Sequence, residues 1–400
     1  MGSGRREEVL AVSARLFQEK GYRSTSIEDL TSEMGFTKAA LYYYVRSKQE
    51  LLEELARQIG RELLAAAAKD FDGAGSASGA LRAFARQHVA AVVANRAVLS
   101  VTLRERSELS PEVLGELEDM ERLYVGRLTE LVAKLPSRRR SRPAPSVATH
   151  LLLGMLASAV DWYRPDAGLP PEDVADVIVD LFLRGLATGR AAPRTVSKTA
   201  LPTPSPSPST GHDGRREQIV RVAASLFHAK GYEATTMQDI ADELGLTKAA
   251  LYYYVTGKQE LLEELVRRVG YALIGAAEAV AEGRPPHRVL AAIIRLHLRW
   301  VHEQRALYSL YLLSRSSLSD AAFTELRVGE RTYAELFRGV VRQGIKEGVF
   351  RPVDSRVVLP ALLGGMNATL RWFHEGPLSV DDLGAVVADL VYHGYAPASP

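Results

Sequence analysis

The sequence predicts an all-α protein built twice in one chain. Apolar residues recur at three- and four-residue spacing almost throughout, Ala, Leu, Glu and Arg dominate, and runs of strict alternation that would support strands are few. The chain also matches itself at an offset of about 210 residues. RREEVLAVSARLFQEKGYRSTSIEDLTSEMGFTKAALYYYVRSKQELLEEL, starting at Arg5, aligns without gaps onto RREQIVRVAASLFHAKGYEATTMQDIADELGLTKAALYYYVTGKQELLEEL, starting at Arg215, and 32 of the 53 positions from Arg5 to Arg57 are identical. So long a period is the duplication of a domain pair, since solenoid repeats run to roughly 20–50 residues. Weaker matches continue downstream: Arg106, Leu109 and Ser110 correspond to Arg315, Leu318 and Ser319; Glu121, Arg122 and Tyr124 to Glu330, Arg331 and Tyr333; Gly154 and Trp162 to Gly364 and Trp372.

Each element has a local reason. A first helix of about sixteen residues runs from Arg5 to Lys20 and stops at Gly21. Ser26-Ile27-Glu28-Asp29 reads as a capping box opening a second helix over Ile27–Met34, and Thr236-Met237-Gln238-Asp239 repeats it. Gly35 and Gly245 stand where a tight turn needs a left-handed residue, and Thr37 and Thr247 cap the next helix. Residues 80–188 and 285–394 read as further amphipathic helices, the last two of each copy lying in GMLASAVDWYRPDAGLPPEDVADVIVDLFLRGL and GGMNATLRWFHEGPLSVDDLGAVVADLVYHGY. Between the copies lies a Pro/Ser/Thr tract without apolar periodicity, which reads as an extended tether. The expected domains are therefore helix-turn-helix heads at 1–57 and 214–267, helical C-terminal domains at 58–189 and 268–395, and a linker at 190–213.

Composition narrows the function. At 400 residues, 46% hydrophobic and 24% charged, the chain can bury full cores. Fifty Lys+Arg against forty-eight Asp+Glu leave only +2, so any nucleic-acid binding must come from locally placed cations. No cysteine is present, which removes thiol catalysis, disulfides and Cys-based metal sites and suits a reducing cytoplasm. MGSGRREEVL lacks a signal-peptide run, and the apolar Leu151–Val160 stretch is too short to span a membrane. A phosphate-cradling glycine loop, an HExxH pair and a nucleophile elbow are all missing, and His302-Glu303 has no second histidine at metal spacing. The expectation is a cytoplasmic, non-enzymatic protein without cofactor or metal.

The chemistry concentrates in TKAALYYYV, which a helix-turn-helix would place in the DNA major groove. Lys38 supplies a cation, Ala39 and Ala40 let the backbone approach base edges and touch a thymine methyl, and the tyrosines offer hydroxyls on flat apolar bodies. Tyr42 and Tyr43 are expected to face DNA and Tyr44 to face inward. The expected DNA contacts are Thr25, Ser26, Thr37, Lys38, Ala39, Ala40, Tyr42, Tyr43 and Lys48, and in the second copy Thr235, Thr236, Thr247, Lys248, Ala249, Ala250, Tyr252, Tyr253 and Lys258. Both copies keep TKAALYYYV and KQELLEEL unaltered while their flanks drift, more than a packing constraint alone requires. Charge diverges: residues 5–50 carry eight cations and seven anions, residues 215–260 six of each, so the second head is expected to bind DNA less strongly without regard to sequence.

These residues resemble a known family. G-Y-x-x-T-[ST] before the second helix, then G-[FL]-T-K-A-A-L-Y-Y-Y-V, then K-Q-E-L-L, is similar to the N-terminal signature of tetracycline-repressor-type (TetR family) regulators, over about fifty residues of each copy. The resemblance implies that the third helix reads an operator, that Lys48 and Lys258 contact phosphate, that the last two helices of each copy form a dimer interface, and that the preceding helices enclose an effector pocket. Tyr44-Val45 and Tyr254-Val255 depart from the usual His or Tyr followed by Phe. The element W-Y-R-P-D-x-G-L resembles a branch that senses acyl-CoA thioesters. Candidates for lining or gating that pocket are Arg106, Trp162 and Tyr163, with Arg315, Trp372 and Phe373; the alternative is that the aromatics are core or interface residues and the arginines satisfy helix C-termini. Arg104 and the run Arg138, Arg139, Arg140 and Arg142 are further cations for a thioester's phosphates, though the run also reads as a solvated loop. The implied protein is a ligand-released repressor that binds double-stranded, near-palindromic operator DNA as an intramolecular pseudo-dimer, with dimerisation of whole chains left open.

Overall fold

A computed structural model describes residues 3–68, 75–136, 143–188, 212–313 and 317–395. Helices and turns account for them; the described residues contain no strand, only one antiparallel bridge between Ala187 and Phe350. The expected linker lies outside the described residues up to 211, as do Arg315 and the run Arg138, Arg139, Arg140 and Arg142.

The first copy comprises α1 (Ser3–Lys20), α2 (Ile27–Met34), α3 (Lys38–Tyr44), α4 (Lys48–Ala68), α5 (Ala77–Ala94), α6 (Arg96–Arg104), α7 (Pro111–Ala133), α8 (Pro145–Ala157), α9 (Ala159–Trp162) and α10 (Pro171–Arg184). The second comprises α11 (His212–Lys230), α12 (Met237–Glu243), α13 (Lys248–Tyr252), α14 (Lys258–Ala281), α15 (Pro286–Glu303), α16 (Arg305–Leu313), α17 (Asp320–Lys346), α18 (Ser355–Trp372) and α19 (Val380–His393). The expected capping boxes form: Ser26 Oγ accepts from the Asp29 amide while Asp29 accepts from the Ser26 amide, and Thr236 and Asp239 do the same. Gly35 and Gly245 adopt φ of 65° and 62°, a conformation that costs a residue without Cβ little. One expectation needs correcting: α8 breaks at Ser158 and resumes as α9, so the first copy ends in three helical pieces where two were expected.

Leu41 anchors α3 by complete burial against Phe17, Leu30, Leu51 and Leu52. That cluster continues into Val101 of α6 and Leu109 and Val113 beside and on α7, so the head shares its core with the domain that follows. The second head repeats this through Leu251, Phe227 and Ile240, continued by Leu310 of α16 and Leu326 of α17. At about 1.5–3 kcal/mol for each large apolar side chain buried, these clusters join the helix-turn-helix heads to the C-terminal helices.

The chain divides into two units. Among the described residues the first holds those up to Arg184 together with 360–365 and Tyr395, and the second holds Gly185–Leu359 and Met366–Gly394. In the first unit α5 packs along α10, and the backbone at Gly364 and Gly365 lies so close to Ser158, Met155 and Leu151 that no Cβ fits there without displacement. In the second unit α15 packs along α19, and the Leu186 amide donates to the Val391 carbonyl at 2.8 Å.

Candidate nucleic-acid interface

The recognition helix begins where Thr37 Oγ1 accepts from the Ala40 amide at 3.2 Å, leaving the first amides of α3 exposed to an approaching phosphate. Thr37, Lys38 and Ala39 are exposed and Ala40 half-buried, and Thr247, Lys248, Ala249 and Ala250 repeat the pattern. Tyr43 and Tyr253 are 84% and 75% exposed, high for aromatic side chains, and Tyr42 and Tyr252 are 49% and 46% exposed. Tyr44 turns inward and stacks on Phe36, ring centroids 6.2 Å apart. The two outward tyrosines beside Lys38 thus form one surface, present in both copies.

Thr25 and Thr235 do not belong to that surface. Each is buried, and its hydroxyl donates to a carbonyl at the end of the preceding helix: Thr25 to Gly21 at 2.8 Å and Thr235 to Gly231 at 2.8 Å. They close the α1 and α11 C-termini. Ser26 and Thr236 are exposed, with their hydroxyls engaged in the capping boxes.

Lys48 is half-buried, and its ammonium donates to the carbonyls of Tyr22 at 2.8 Å, Thr25 at 2.9 Å and Arg23 at 3.3 Å, 4.5 Å above the Tyr22 ring. Lys258 repeats this on Tyr232 at 2.9 Å and Glu233 at 3.1 Å. Burial lowers the Lys48 pKa and pushes the Tyr22 and Tyr232 phenols up to about 12. With its donors already committed, Lys48 ties the turn before α2 to the start of α4.

Among the charges by which the heads differ, one lies at the recognition lysine. Lys38 pairs with Glu28, which holds that carboxyl below its ordinary range and raises the lysine pKa. In the second head Gln238 replaces the glutamate and donates to Asp242 at 2.7 Å, and Lys248 has no ion pair among the described residues. The head with fewer cations therefore has the freer one at the recognition helix.

Both heads are bonded to α7 or its counterpart. Arg57 Nε donates to Glu116 at 2.6 Å and the Ser110 amide to Glu53 at 3.1 Å; Arg267 reaches Glu325 at 3.2 Å and the Ser319 amide Glu263 at 3.1 Å. These bonds tie α4 to α7 and α14 to α17.

The expected effector residues that the structure describes have structural partners. Trp162 Nε1 donates to Ser158 at 3.0 Å, Tyr163 is buried with its hydroxyl on the Leu169 carbonyl at 2.9 Å, and Phe373 is buried against the His302 ring at 5.0 Å. Trp372 stands edge-on to Phe373, centroids 6.0 Å apart. Arg106 is half-buried, 3.5 Å from Glu118. Arginines do cap this region, as the alternative reading expected, but they are Arg96, on the Tyr163 carbonyl at 3.3 Å, and Arg305, on the Leu370 and Phe373 carbonyls. Sequence reasoning missed the buried histidines. His88 Nδ1 meets the Tyr124 hydroxyl between α5 and α7, beside Phe84; His297 Nδ1 meets Tyr333 at 3.2 Å, and its Nε2 meets Asn367 Oδ1 at 2.9 Å. Both His–Tyr pairs recur at the same separation in the two copies, which was the available signal.

Comparison with known proteins accords with this geometry. The family described as bacterial regulatory proteins of the tetR family matches residues 9–55 and 219–265, and the tetracyclin repressor-like C-terminal domain matches residues 74–186 and 283–395. The chain belongs to the TetR family of bacterial transcriptional regulators and carries both family domains twice. It is similar to the HTH-type transcriptional repressor KstR2 of Rhodococcus jostii, 29% identical over 47% of this chain and 94% of the relative, and to KstR2 of Mycolicibacterium smegmatis, 27% identical over 45% and 90%. Among solved structures, the TetR-family regulator PfmR of Thermus thermophilus is 34% identical over 44% of this chain and 98% of its own, with a TM-score of 0.43. No helix among the described residues is long and apolar enough to cross a membrane.

Proposed function

We propose that this regulator is a repressor, that one chain occupies a near-palindromic operator with both heads as an intramolecular pseudo-dimer, and that an apolar effector of the acyl-CoA thioester class releases it. The observation that carries the reading is the duplicated outward face of Lys38, Tyr42 and Tyr43 and of Lys248, Tyr252 and Tyr253. Lysines and exposed amides hold phosphate, tyrosine hydroxyls and the small alanines read base edges, and Lys48 and Lys258 fix the turn behind them.

Two heads on one operator must reach major grooves roughly 34–36 Å apart. Covalent linkage makes the second engagement intramolecular at high effective concentration. Release follows from linkage: an effector that prefers an arrangement of α6 and α7 unsuited to DNA lowers operator affinity by that preference and no more. The similarity to KstR2 repressors supports repression, and the WYRPDAGL element supports the thioester class. The cytoplasm is the matching location.

The test is fluorescence anisotropy on DNA from upstream of the chain's own gene, with native mass spectrometry of the complex. Saturable binding at one chain per operator is expected, falling to random-DNA affinity when Lys38, Tyr42, Lys248 and Tyr252 are all replaced by Ala. Wild-type binding no tighter than to random DNA refutes the regulator reading, and two chains per minimal operator refute the intramolecular pairing.

A further inference from the structure

The two C-terminal bundles differ in how they satisfy a buried histidine. In the second copy the chain satisfies its own histidine: Tyr333 faces Nδ1 of His297, and the amide oxygen of Asn367 faces Nε2, held also by the Tyr308 hydroxyl at 3.0 Å. In the first copy the His88–Tyr124 pair is retained, but the repeat places Ala157 where the second copy has Asn367 and Leu99 where it has Tyr308. His88 is only 4% exposed, and its Nε2 has no hydrogen-bond partner among the described residues. Thr149 of α8, fully buried, also leaves its hydroxyl unpaired, and its counterpart is Leu359. Buried polar atoms are rarely left unsatisfied, because doing so forfeits their hydration without return.

We infer that the first copy's bundle is the effector site and that His88 is its polar anchor: the Tyr124 hydroxyl donates to Nδ1, and Nε2–H donates to a carbonyl oxygen of an otherwise apolar ligand, the place Asn367 Oδ1 fills in the second copy. The inference rests on the effector-responsive reading above and adds the residue, the ligand group and the stoichiometry. Burial lowers the pKa of His88 and His297 to about 4, so both are neutral near pH 7 and present one donor and one acceptor each. Phe84 and Tyr124 line the His88 side with aromatic faces, as an apolar carbonyl compound requires. The second bundle carries its own carbonyl and needs none. One chain therefore takes one ligand.

The test uses the full chain with imidazole nitrogens observed by NMR, titrated with cyclohexanone as a small apolar ketone and with octanoyl-CoA as a thioester, and with bound molecules counted by native mass spectrometry. The expected result is one equivalent bound, with the His88 Nε2 resonance moving and that of His297 unmoved. Grafting the second copy's closure onto the first, Ala157→Asn with Leu99→Tyr, should weaken probe binding about tenfold, while Asn367→Ala should open a second site of similar affinity. The inference is overturned by two equivalents on the unaltered chain, by binding that leaves His88 unmoved, or by failure of both probes to bind. Operator binding measured on the same samples keeps the outcomes separate: specific DNA binding that survives such a failure leaves the regulator intact and removes only the assigned site.

Discussion

Replacing Glu28 with Gln removes the carboxylate that pairs with Lys38, as Gln238 does beside Lys248, and should strengthen DNA binding. The Lys38–Glu28 side chains are 59% and 61% exposed, so water and salt already screen the pair and its loss costs the fold little. Its effect on DNA is larger, because Glu28 occupies the cation that should meet phosphate and adds a negative charge within a Debye length, about 10 Å at 0.1 M salt, of that phosphate. Freeing one cation for one phosphate should steepen the dependence of log K on log salt by about 0.9 and raise affinity roughly two- to fivefold at moderate salt. The reciprocal change, Gln238→Glu, should weaken binding by a similar factor. Anisotropy titrations of both variants on the operator at three salt concentrations measure slope and affinity together. Unchanged slope and affinity in both variants would refute the reasoning, showing that Lys38 and Lys248 do not act at phosphate.

Other expectations follow from the contacts. Lys20 and Ser26 hold the Asp29 carboxyl far below its ordinary range, and Lys230 and Thr236 do the same for Asp239; a depressed carboxyl stabilises the fold fully above its unfolded pKa and loses that contribution as pH falls. Thermal melts should therefore show head stability declining from about pH 4 downward, and Asp29→Asn with Asp239→Asn should flatten that decline at the expense of stability near pH 7. Lys48→Met removes the ammonium from the turn carbonyls and should destabilise the first head by about 1–3 kcal/mol, visible as a lower denaturation midpoint, and Lys48→Arg should not restore it, since a planar fork cannot reproduce that compact grip. Tyr43→Ala with Tyr253→Ala should leave the melting temperature unchanged, because both rings are exposed, while lowering operator affinity. Gly364→Val should cost about 1–3 kcal/mol, because the added side chain meets Ser158, and an unchanged melting temperature in that variant would contradict the packing.

What was legible in the sequence was local. Ser26-Asp29 and Thr236-Asp239 announce helix starts because a capping box closes within four residues, and Gly35 fits its turn for reasons contained in one φ angle. The recognition surface was legible because the copies vary around it. Thr25 was misplaced because it borders a capping residue in sequence, yet its side chain turns the other way, toward a carbonyl four residues back. In the first copy the capping arginine is Arg96 and not the expected Arg106, for a longer-range reason: Arg96 reaches the α9 end across 67 residues, which no periodicity encodes. A lone histidine such as His88 on an apolar face reads as core until Tyr124, 36 residues away, is seen beside it.

Glu28 in one head and Gln238 in the other have a geometric consequence. A homodimer laid on a palindrome looks identical when turned end for end, so nothing distinguishes its left from its right. A chain with two inequivalent heads has no such indifference, and an operator whose half-sites differ even slightly would seat it in a single preferred direction. Seated on DNA with both heads as proposed, such a molecule would carry an arrow along it, and which neighbouring promoter its first copy faces would be a property of the binding sequence.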